Sequence, residues 1–332
     1  MIFATALLIA LALDHWIGEP PLRFHPVVWM GNYLGWAGAR IAPLTGSKPT
    51  QGQNHKAFCL GVLAWSVGAA AVYVVAWIVQ RTCLELLDHG GTVSAIPAAL
   101  SYCIAAVVLG LALKPLLAWA MLKNEVLAVE AALGQSLAAG RERLSWLVSR
   151  DTAALTASEV RESAIESLAE NLNDSVVAPI LWFALLGLPG AAVYRFANTA
   201  DAMWGYRGIR NGQNWEWAGK WAARADDVLS WVPARITALL IVVVTPRVTF
   251  TNLRAEARRT PSPNSGWPMA AMAIALGICL GKPGTYTLNA SGRIPETADT
   301  LKTIKKASNV LLVQVFAACV AILFIAFPGI GR

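Results

Sequence analysis

Residues 162–183 read ESAIESLAENLNDSVVAPILWF, so a segment rich in Glu, Asn, Ser and Asp runs directly into an apolar one. The apolar half is typical of the whole chain, which has 332 residues, 56% of them hydrophobic and 14% charged, and a mean hydropathy of +0.51. Soluble domains carry about 25% charged residues. The chain is therefore predicted to lie largely in a membrane, with this junction at a membrane edge.

Several apolar runs approach the length of a membrane span, since a helix needs roughly 18 or more apolar residues to cross a bilayer. Three runs meet this length, a fourth is interrupted by Pro and Gly, a fifth nearly meets it and two are short. In that order they are Ala57–Val79, Ile96–Leu113, Val310–Phe327, Val176–Val193, Val228–Val244, Ile2–Leu13 and Trp267–Gly281. The predicted fold is all-α, a polytopic integral membrane helical bundle.

A single membrane domain over residues 1–332 is predicted, because the chain shows no internal repeat and no long soluble segment. The five cysteines include no CxxC pair, so neither a disulfide framework nor a zinc site is predicted. The net charge of +7 comes without a basic, aromatic-interleaved patch, so no nucleic-acid partner is predicted. The polar connections between apolar runs are residues 14–56, 114–175, 195–227, 246–266 and 282–309.

Lys and Arg counts in the connections predict orientation, because cytoplasmic loops carry the excess. Residues 80–95 hold one basic residue and are predicted to be external, whereas residues 14–56 and 114–175 hold four and six and are predicted to be cytoplasmic. A full crossing by residues 176–193 would put the five basic residues of 195–227 outside. The GLPG sequence at 187–190 therefore predicts a broken or re-entrant segment, with a polar site facing the cytoplasm.

The acidic helix of the opening stretch is predicted to carry Glu159, Glu162, Glu166, Glu170 and Asn173 on one face. Like charges at i,i+4 repel, by a few tenths of a kcal/mol per pair. A row of Glu without interleaved Lys therefore predicts that something positive faces it: Arg side chains, Mg²⁺ or a cationic substrate group. The alternative is an ordinary amphipathic helix with a solvated charged face.

Two later segments place charges beside apolar runs, where charged residues are costly and indicate function. They are YRFANTADAMWGYRGIRN at 194–211 and WAARADDVLSWVPARIT at 221–237. The adjacent carboxylates Asp226 and Asp227 suit Mg²⁺, which takes one or two carboxylates together with substrate phosphates. The alternative is a salt bridge within the bundle, from Arg224 or Arg235 to an Asp.

The segment RRTPSPNSGWP at 258–268 predicts a tight, hydrogen-bonded loop, because of its Pro, Ser, Asn and Gly residues. Its polar side chains are candidates for holding a phosphate or a carboxylate, and a simple membrane-edge turn is an equally good reading. The candidates are Arg258, Arg259, Ser262, Asn264 and Ser265.

His25 lies on a loop stiffened by Pro and Gly, within DHWIGEPPLRFHPVVWMG at 14–31. Because an unperturbed imidazole titrates near neutrality, His25 is a candidate proton acceptor. A structural role is the alternative for a single His that precedes Pro. Elsewhere the chain has no GxxxxGK[ST] loop, no GxGxxG, no HExxH and no GxSxG, so any nucleotide chemistry requires a non-standard site.

Taken in order, these motifs resemble the CobD/CbiB family, the adenosylcobinamide-phosphate synthases of cobalamin biosynthesis. The resemblance extends through RDTAALTASEVRESAIESLAENLNDSVVAPILWF, LPGAAVYRFANTADAMWGYR, AARADDVLSWVPARIT and RRTPSPNSGWPMAAMAIALG, and covers most of residues 14–281. Family members commonly carry an acidic residue at the position of Met269 and Asn at that of Ser230. Residues 211–221 also differ from the family pattern, and the part from 282 onward matches loosely.

The resemblance implies a multi-pass protein of the bacterial inner (cell) membrane that performs an ATP-dependent amide ligation. The corrin carboxylate of adenosylcobyric acid is joined to (R)-1-aminopropan-2-ol or its O-phosphate, which gives adenosylcobinamide or its phosphate. Mg²⁺ and ATP as co-substrate are expected, without a tightly bound organic cofactor. Expected partners are these substrates, membrane lipid and other cobalamin-pathway proteins.

Set against that chemistry, the candidate residues fall into three predicted groups. Asp226, Asp227 and Asp174, with Glu166 or Glu170, are predicted to hold Mg²⁺. A carboxylate such as Glu166 or Glu170, or else His25, is predicted to accept the proton of the amine. The residues predicted to bind substrate and phosphate are Arg195, Asn198, Arg207, Arg224, Arg258, Asn264, Ser265 and Asn171.

Two other classes of function stay open at this point. Broken helices with polar residues at membrane depth are typical of transporters, although no second broken segment pairs with the first. A non-catalytic membrane sensor or scaffold is the other class, against which the full set of acidic and Arg motifs argues.

Overall fold

The computed structural model describes residues 1–44, 50–89, 97–245 and 250–326, and it is 76% helical. Within these residues four helical stretches are long and apolar enough to cross a membrane: Gln51–Asp88, Ala98–Gln135, Ala157–Trp204 and Thr297–Phe324. The chain is therefore an all-α polytopic membrane protein, as the apolar runs predict.

The described residues contain thirteen α-helices and four short strands, joined by loops and by short 3-10 and π-helical turns. The helices are α1 Ile2–Trp16, α2 Pro26–Ile41, α3 Gln51–His89, α4 Ala98–Leu113, α5 Trp119–Gln135, α6 Leu137–Leu144, α7 Ala157–Leu172, α8 Ala178–Trp204, α9 Lys220–Leu229, α10 Trp231–Val243, α11 Phe250–Ala257, α12 Gly266–Leu276 and α13 Thr297–Ala326. The strands pair into two antiparallel hairpins, β1 Ile209–Arg210 with β2 Gln213–Asn214, and β3 Leu280–Lys282 with β4 Tyr286–Leu288.

The described residues of the three long apolar runs lie in α3, α4 and α13, apart from Pro97 just before α4, while Ile96 and Phe327 lie outside the described residues. The interrupted run begins in the stretch Asn173–Val177 and continues in α8. The shorter runs form α1, α10 and α12, which are too short to qualify as spans. The loop predicted at residues 80–95 is in part the end of α3, and its residues 90–95 lie outside the described residues. Its external orientation stays a prediction.

The described chain forms two compact units. The first contains the described residues of Met1–Leu117, Pro179–Leu229 and Ala318–Arg332, and the second those of Ala118–Ala178 and Ser230–Ala317. They are called unit 1 and unit 2 below. That the whole chain acts as one membrane domain stays a prediction.

Unit 1 contains the packing of α1 against α4, where small residues let the helices approach closely. Ala6, Ala10 and Leu109 are fully buried there. A Cβ atom at Gly110 would lie 2.7 Å from Ile9 Cγ2, so the approach depends on glycine at this position.

The break predicted at GLPG is found at Gly187, inside α8. Its backbone has φ 69° and ψ −159°, a conformation that is essentially restricted to glycine. The break frees the N–H of Leu188, which donates to Gln80 Oε1 on α3 at 2.7 Å. The segment is therefore broken as predicted, and its return to the cytoplasmic side stays a prediction.

Unit 2 is built around the acidic helix α7. Its start is fixed by a capping box, in which Glu159 N–H donates to Thr156 Oγ1 at 3.3 Å and Thr156 N–H donates to Glu159 Oε2 at 2.7 Å. Glu159 is thus used as a cap. After α7 a single π-helical stretch, Asn173–Val177, leads to α8. Such bulges occur frequently at functional sites, and this one directly follows the predicted acidic face.

Candidate functional site

A cavity of about 370 Å³ in unit 2 collects polar side chains from four segments, one of which is the loop before α12 with Thr260, Ser262 and Ser265. The helix α7 contributes Glu166 and Glu170 and the preceding loop contributes Arg150. The hairpin β3–β4 contributes Lys282 and Tyr286. We call this the acid cavity. The acidic helix therefore faces positive side chains, as its charge pattern predicts.

Glu166 is deeply buried in the acid cavity, with a side chain only 2% exposed. Arg150 Nη2 donates to Glu166 Oε2 at 3.1 Å. Glu166 Oε1 and Arg150 Nη1 are buried and have no hydrogen-bond partner among the described residues. Because buried polar atoms are normally paired, these two atoms indicate a polar ligand in the cavity.

Glu170 lies one helical turn after Glu166 and also lines the acid cavity. It interacts electrostatically with Asp174 and Glu166, which repel it, and with Arg150 and Lys282, which attract it. The cavity therefore offers carboxylates that suit an ammonium group or a metal ion. It also offers a guanidinium and an ammonium that suit phosphate or carboxylate.

Tyr286 brings a hydroxyl group to Glu166. Burial raises the pKa of Tyr286, and the negative charge of Glu166 raises it further. The phenol therefore stays protonated and can donate to a carboxylate. Its hydroxyl also lies 3.9 Å from Met269 Sδ.

Three residues of the acid cavity were missed by the sequence reasoning: Arg150, Lys282 and Tyr286. Arg150 is the first residue of the quoted segment RDTAALTASEV but was given no role, and the other two lie beyond the segments that resemble the family. The Pro-Gly pair at 283–284 is a turn signal that identifies the hairpin. Nothing in the sequence indicates that its side chains meet α7. Glu166 forms its ion pair with Arg150. The sequence predicts its positive partners in the Arg clusters after residues 194, 221 and 258, and none of these forms that pair.

Of the predicted substrate-binding residues, Asn171 and Ser265 line the acid cavity. Arg258 lines a second cavity of unit 2, of about 620 Å³, which shares Thr260, Pro261 and Ser262 with the first. We call this the arginine cavity.

The loop between residues 258 and 268 is hydrogen-bonded, as its composition predicts. Ser262 Oγ accepts from the backbone N–H groups of Asn264 and Ser265 at 3.2 Å each. Asn264 Oδ1 accepts from Arg235 Nη1 at 2.7 Å. Arg259 pairs with Glu256 at 3.2 Å and lines neither cavity, so the structure separates it from Arg258.

The predicted residues of the Asp226 region belong to unit 1. Asn198 Nδ2 donates to Asp226 Oδ1 at 3.4 Å. Burial raises the pKa of Asp227, and the charges of Arg224 and Arg207 oppose this shift. Both the metal-site prediction and the salt-bridge alternative for this region stay open. Arg195 is half-buried in the same unit, and its carbonyl accepts from Thr199 Oγ1 at 2.7 Å.

His25 also belongs to unit 1, whereas Glu166 and Glu170 belong to unit 2. Its Nδ1 accepts from Val27 N–H at 3.3 Å and caps α2, and its Nε2 lies 3.1 Å from Glu19 Oε2. Lys114 Nζ lies 2.9 Å from Glu19 Oε2 and 3.5 Å from Asp14 Oδ1. Both ring nitrogens of His25 are therefore engaged in a structural network, and its catalytic role stays a prediction.

Among the residues that the structure describes, no group of three or more His, Cys, Asp or Glu side chains is placed to hold a metal ion. Mg²⁺ usually takes only one or two carboxylates and completes its shell with waters and substrate phosphates. Asp226 with Asp227 in unit 1, and Glu170 with Asp174 in unit 2, each supply such a pair. The assignment of Mg²⁺ to them stays a prediction.

Comparisons with known proteins cover almost the whole chain. A family model described as CobD/Cbib protein matches residues 7–312. A "Probable cobalamin biosynthesis protein CobD" of Methanothermobacter thermautotrophicus is 36% identical over 327 residues, which are 97% of this chain and 98% of the relative. A "Cobalamin biosynthesis protein CobD" of Brucella suis is 35% identical over 307 residues, 86% of each chain. No solved structure matches the chain.

Proposed function

This chain belongs to the CobD/CbiB family, and from that premise we propose that it is an ATP-dependent ligase of cobalamin biosynthesis. The reaction joins the corrin carboxylate of adenosylcobyric acid to (R)-1-aminopropan-2-ol or its O-phosphate. The product is adenosylcobinamide or its phosphate. The relatives' names support the pathway, and the amide ligation is the step that the side chains of the acid cavity suit.

One observation in the acid cavity supports this proposal most directly: Glu166 is buried beside Arg150 and has an oxygen without a hydrogen-bond partner among the described residues. Ligation has to hold an amine, a carboxylate and phosphates together. A cavity with carboxylates on one side and Arg150 and Lys282 on the other offers a partner to each of these groups. Tyr286 adds a hydrogen-bond donor that stays protonated.

The proposed reaction proceeds through an acyl phosphate intermediate. An oxygen of the corrin carboxylate attacks the γ-phosphorus of ATP, and ADP leaves. The nitrogen of the amine then attacks the acyl carbon, the amide C–N bond forms and the C–O bond to phosphate breaks. The amine loses protons on the way, and Glu166 or Glu170 is proposed to accept one.

The carboxylate pairs of both units fit Mg²⁺ by their donor chemistry. Asp226 and Asp227, or Asp174 beside Glu170, would hold it. When bound, Mg²⁺ neutralises the charge that develops on the ATP phosphates. Arg195, Arg207, Arg224 and Arg258 are proposed to hold phosphates or corrin carboxylate, and Asn171, Asn198 and Asn264 to hold corrin amides.

The proposed location is the bacterial inner membrane, with the acid cavity on the cytoplasmic side. The Lys and Arg counts of residues 14–56 and 114–175 support this orientation. Proposed partners are the corrinoid, the amine, ATP, membrane lipid and other cobalamin-pathway proteins, with no nucleic acid.

The direct test incubates purified protein with adenosylcobyric acid, ATP, Mg²⁺ and either amine. The expected result is an amide product of the corresponding mass, formed with ADP and phosphate, and absent when ATP is omitted. Glu166→Gln, which keeps the side-chain shape, is the matched inactive variant. Failure of the wild-type protein with both amines would overturn the proposal.

Transport of the corrinoid is a second candidate, favoured by the helix break at Gly187. Transporters commonly bind substrates at broken helices. Uptake of adenosylcobyric acid into vesicles that contain the protein, without amide formation, would favour transport over ligation.

A further inference from the structure

We propose that the arginine cavity of unit 2 is a phosphate-binding site formed by Arg235, Arg254 and Arg258. It is distinct from the acid cavity, although the two share a wall. The phosphate group has two possible sources, the triphosphate of ATP and the headgroup of an anionic lipid. In the ATP case this inference rests on the proposed function and assigns the nucleotide to this cavity.

The arginine cavity carries positive charge that no carboxylate of the described residues neutralises. Three guanidinium groups line the cavity, and none of them forms an ion pair with a carboxylate in the residues that the structure describes. Neighbouring arginines of unit 2 behave differently, since Arg150 pairs with Glu166 and Arg259 with Glu256. Three positive charges that converge on one cavity without an acid are most simply explained by an anionic ligand.

The spacing of Arg254 and Arg258 also favours an anion between them. They lie four residues apart, at the end of α11, where like charges repel when no anion lies between them. Both side chains are exposed to the cavity and are free to approach a ligand. A phosphate between them would turn this repulsion into two charge-assisted contacts.

The guanidinium group of Arg235 is already held in place by hydrogen bonds. Its Nη1 donates to Asn264 Oδ1 at 2.7 Å and to Trp231 O at 2.9 Å, and its Nη2 donates to Pro263 O at 3.1 Å. A guanidinium has five N–H donors, so these bonds leave two for a ligand. The group also stacks against two indole rings, with centroids 4.5 Å and 4.9 Å away.

The size and the surroundings of the arginine cavity also suit a ligand that carries a phosphate. The volume of about 620 Å³ lies within the range of about 300–1,000 Å³ that is usual for ligand sites. Trp231 and Trp267 provide flat walls on which a nucleobase can stack. The same indoles are typical of headgroup depth in a membrane, which is why a lipid phosphate is the other source. The shared wall at Thr260–Ser262 would bring the end of a triphosphate towards the acid cavity.

The test compares the full chain and its variants in nanodiscs of neutral phosphatidylcholine, with the nucleotide analogue adenylyl imidodiphosphate as probe. The variant is Arg254→Gln with Arg258→Gln, and the control is Arg259→Gln, which removes a neighbouring charge outside the cavity. A second arm uses discs with phosphatidylglycerol and counts bound lipid by native mass spectrometry.

We expect the double variant to lose at least about tenfold in affinity in one of the two arms, since hydrogen bonds to charged groups are stronger than neutral ones. The arm that responds identifies the source of the phosphate. The control should match the wild type. Equal binding by the double variant and the control in both arms would overturn the proposal.

Two further measurements keep the outcome clear. Should the double Gln variant fail to fold, Arg254→Lys with Arg258→Lys keeps both charges and is expected to retain part of the affinity, because Lys binds phosphate as a point charge. Ligation is assayed separately. Phosphate binding without ligation would overturn the proposed function and leave this site intact. Ligation by the wild type, together with unchanged phosphate binding in the double Gln variant, would overturn this site and leave the proposed function intact.

Discussion

Arg150 donates to one oxygen of Glu166 at 3.1 Å and leaves the other oxygen of the same buried carboxylate without a partner among the described residues. A carboxylate held in this way is oriented by one contact and available through the other. The relationship explains why an acidic helix runs into a membrane segment, because part of its acidic face lines a cavity and pairs with Arg150.

Glu166→Gln is expected to lower the rate of ligation by about 100-fold or more, because removing a proton acceptor usually costs that much. The measurement is product formation by mass spectrometry at saturating amine. Glu142→Gln, a change on the exposed α6, is the matched control and should keep the wild-type rate. An active Glu166→Gln variant would remove this residue from the chemistry.

Tyr286→Phe is expected to lower ligation by about tenfold, since it removes a hydroxyl group that can donate to a charged group in the acid cavity. Because burial and Glu166 raise the pKa of Tyr286, the phenol stays protonated across the working range. The pH profile up to about pH 9 should therefore have the same shape in the wild type and the variant. An alkaline limb present only in the wild type would contradict the role as a protonated donor.

A group whose pKa is raised on folding also contributes stability that is lost as the pH rises. The unfolded phenol loses its proton near pH 10. The wild type should therefore lose more stability than Tyr286→Phe between about pH 9 and pH 11. Thermal unfolding in detergent measures the difference, and parallel curves for the two proteins would refute it.

Gln80→Met is expected to destabilise the protein by about 1–3 kcal/mol, because the N–H of Leu188 freed by the break at Gly187 would lose its acceptor. Gln135→Met is the control, since Gln135 is exposed at the end of α5 and makes no such bond. Midpoints of thermal unfolding compare the two. Equal midpoints would show that water or lipid replaces the acceptor at no cost.

Lys114→Met is expected to destabilise unit 1 strongly, by about 3–5 kcal/mol, since it leaves Asp14 and Glu19 without their shared ammonium. The side chains of Lys114 and Asp14 are 6% and 2% exposed, so water offers little compensation. The double variant Lys114→Met with Asp14→Asn should recover part of the loss. A double variant that is less stable than the single one would contradict a charge-pairing role.

Asp226→Ala is expected to raise the Mg²⁺ concentration needed for half-maximal ligation by about tenfold, if a carboxylate pair holds the ion as proposed. Asp88→Ala, an exposed carboxylate at the end of α3, is the control. The measurement is a Mg²⁺ titration of the ligation rate. An unchanged titration curve would take Asp226 out of the metal site.

The sequence by itself determined the fold class and the membrane segments, because both follow from hydropathy summed over neighbouring residues. The break at Gly187 was readable for the same reason, since Pro and Gly act on their own stretch of backbone. The acidic face of α7 followed from helical periodicity, and the resemblance to a family followed from motifs in order. Each of these properties is local.

Only the tertiary structure decided which charges meet. Arg150 reaches Glu166 from 16 positions away, and Tyr286 reaches it from a hairpin in a part of the chain without a matching motif. The structure also separated Arg258, which lines a cavity, from its neighbour Arg259, which pairs with Glu256. Spacing along a chain carries no information about contacts between distant segments, because those depend on how the helices pack. The composition of the acid cavity was therefore fixed by packing, although its first wall could be read directly from ESAIESLAENL.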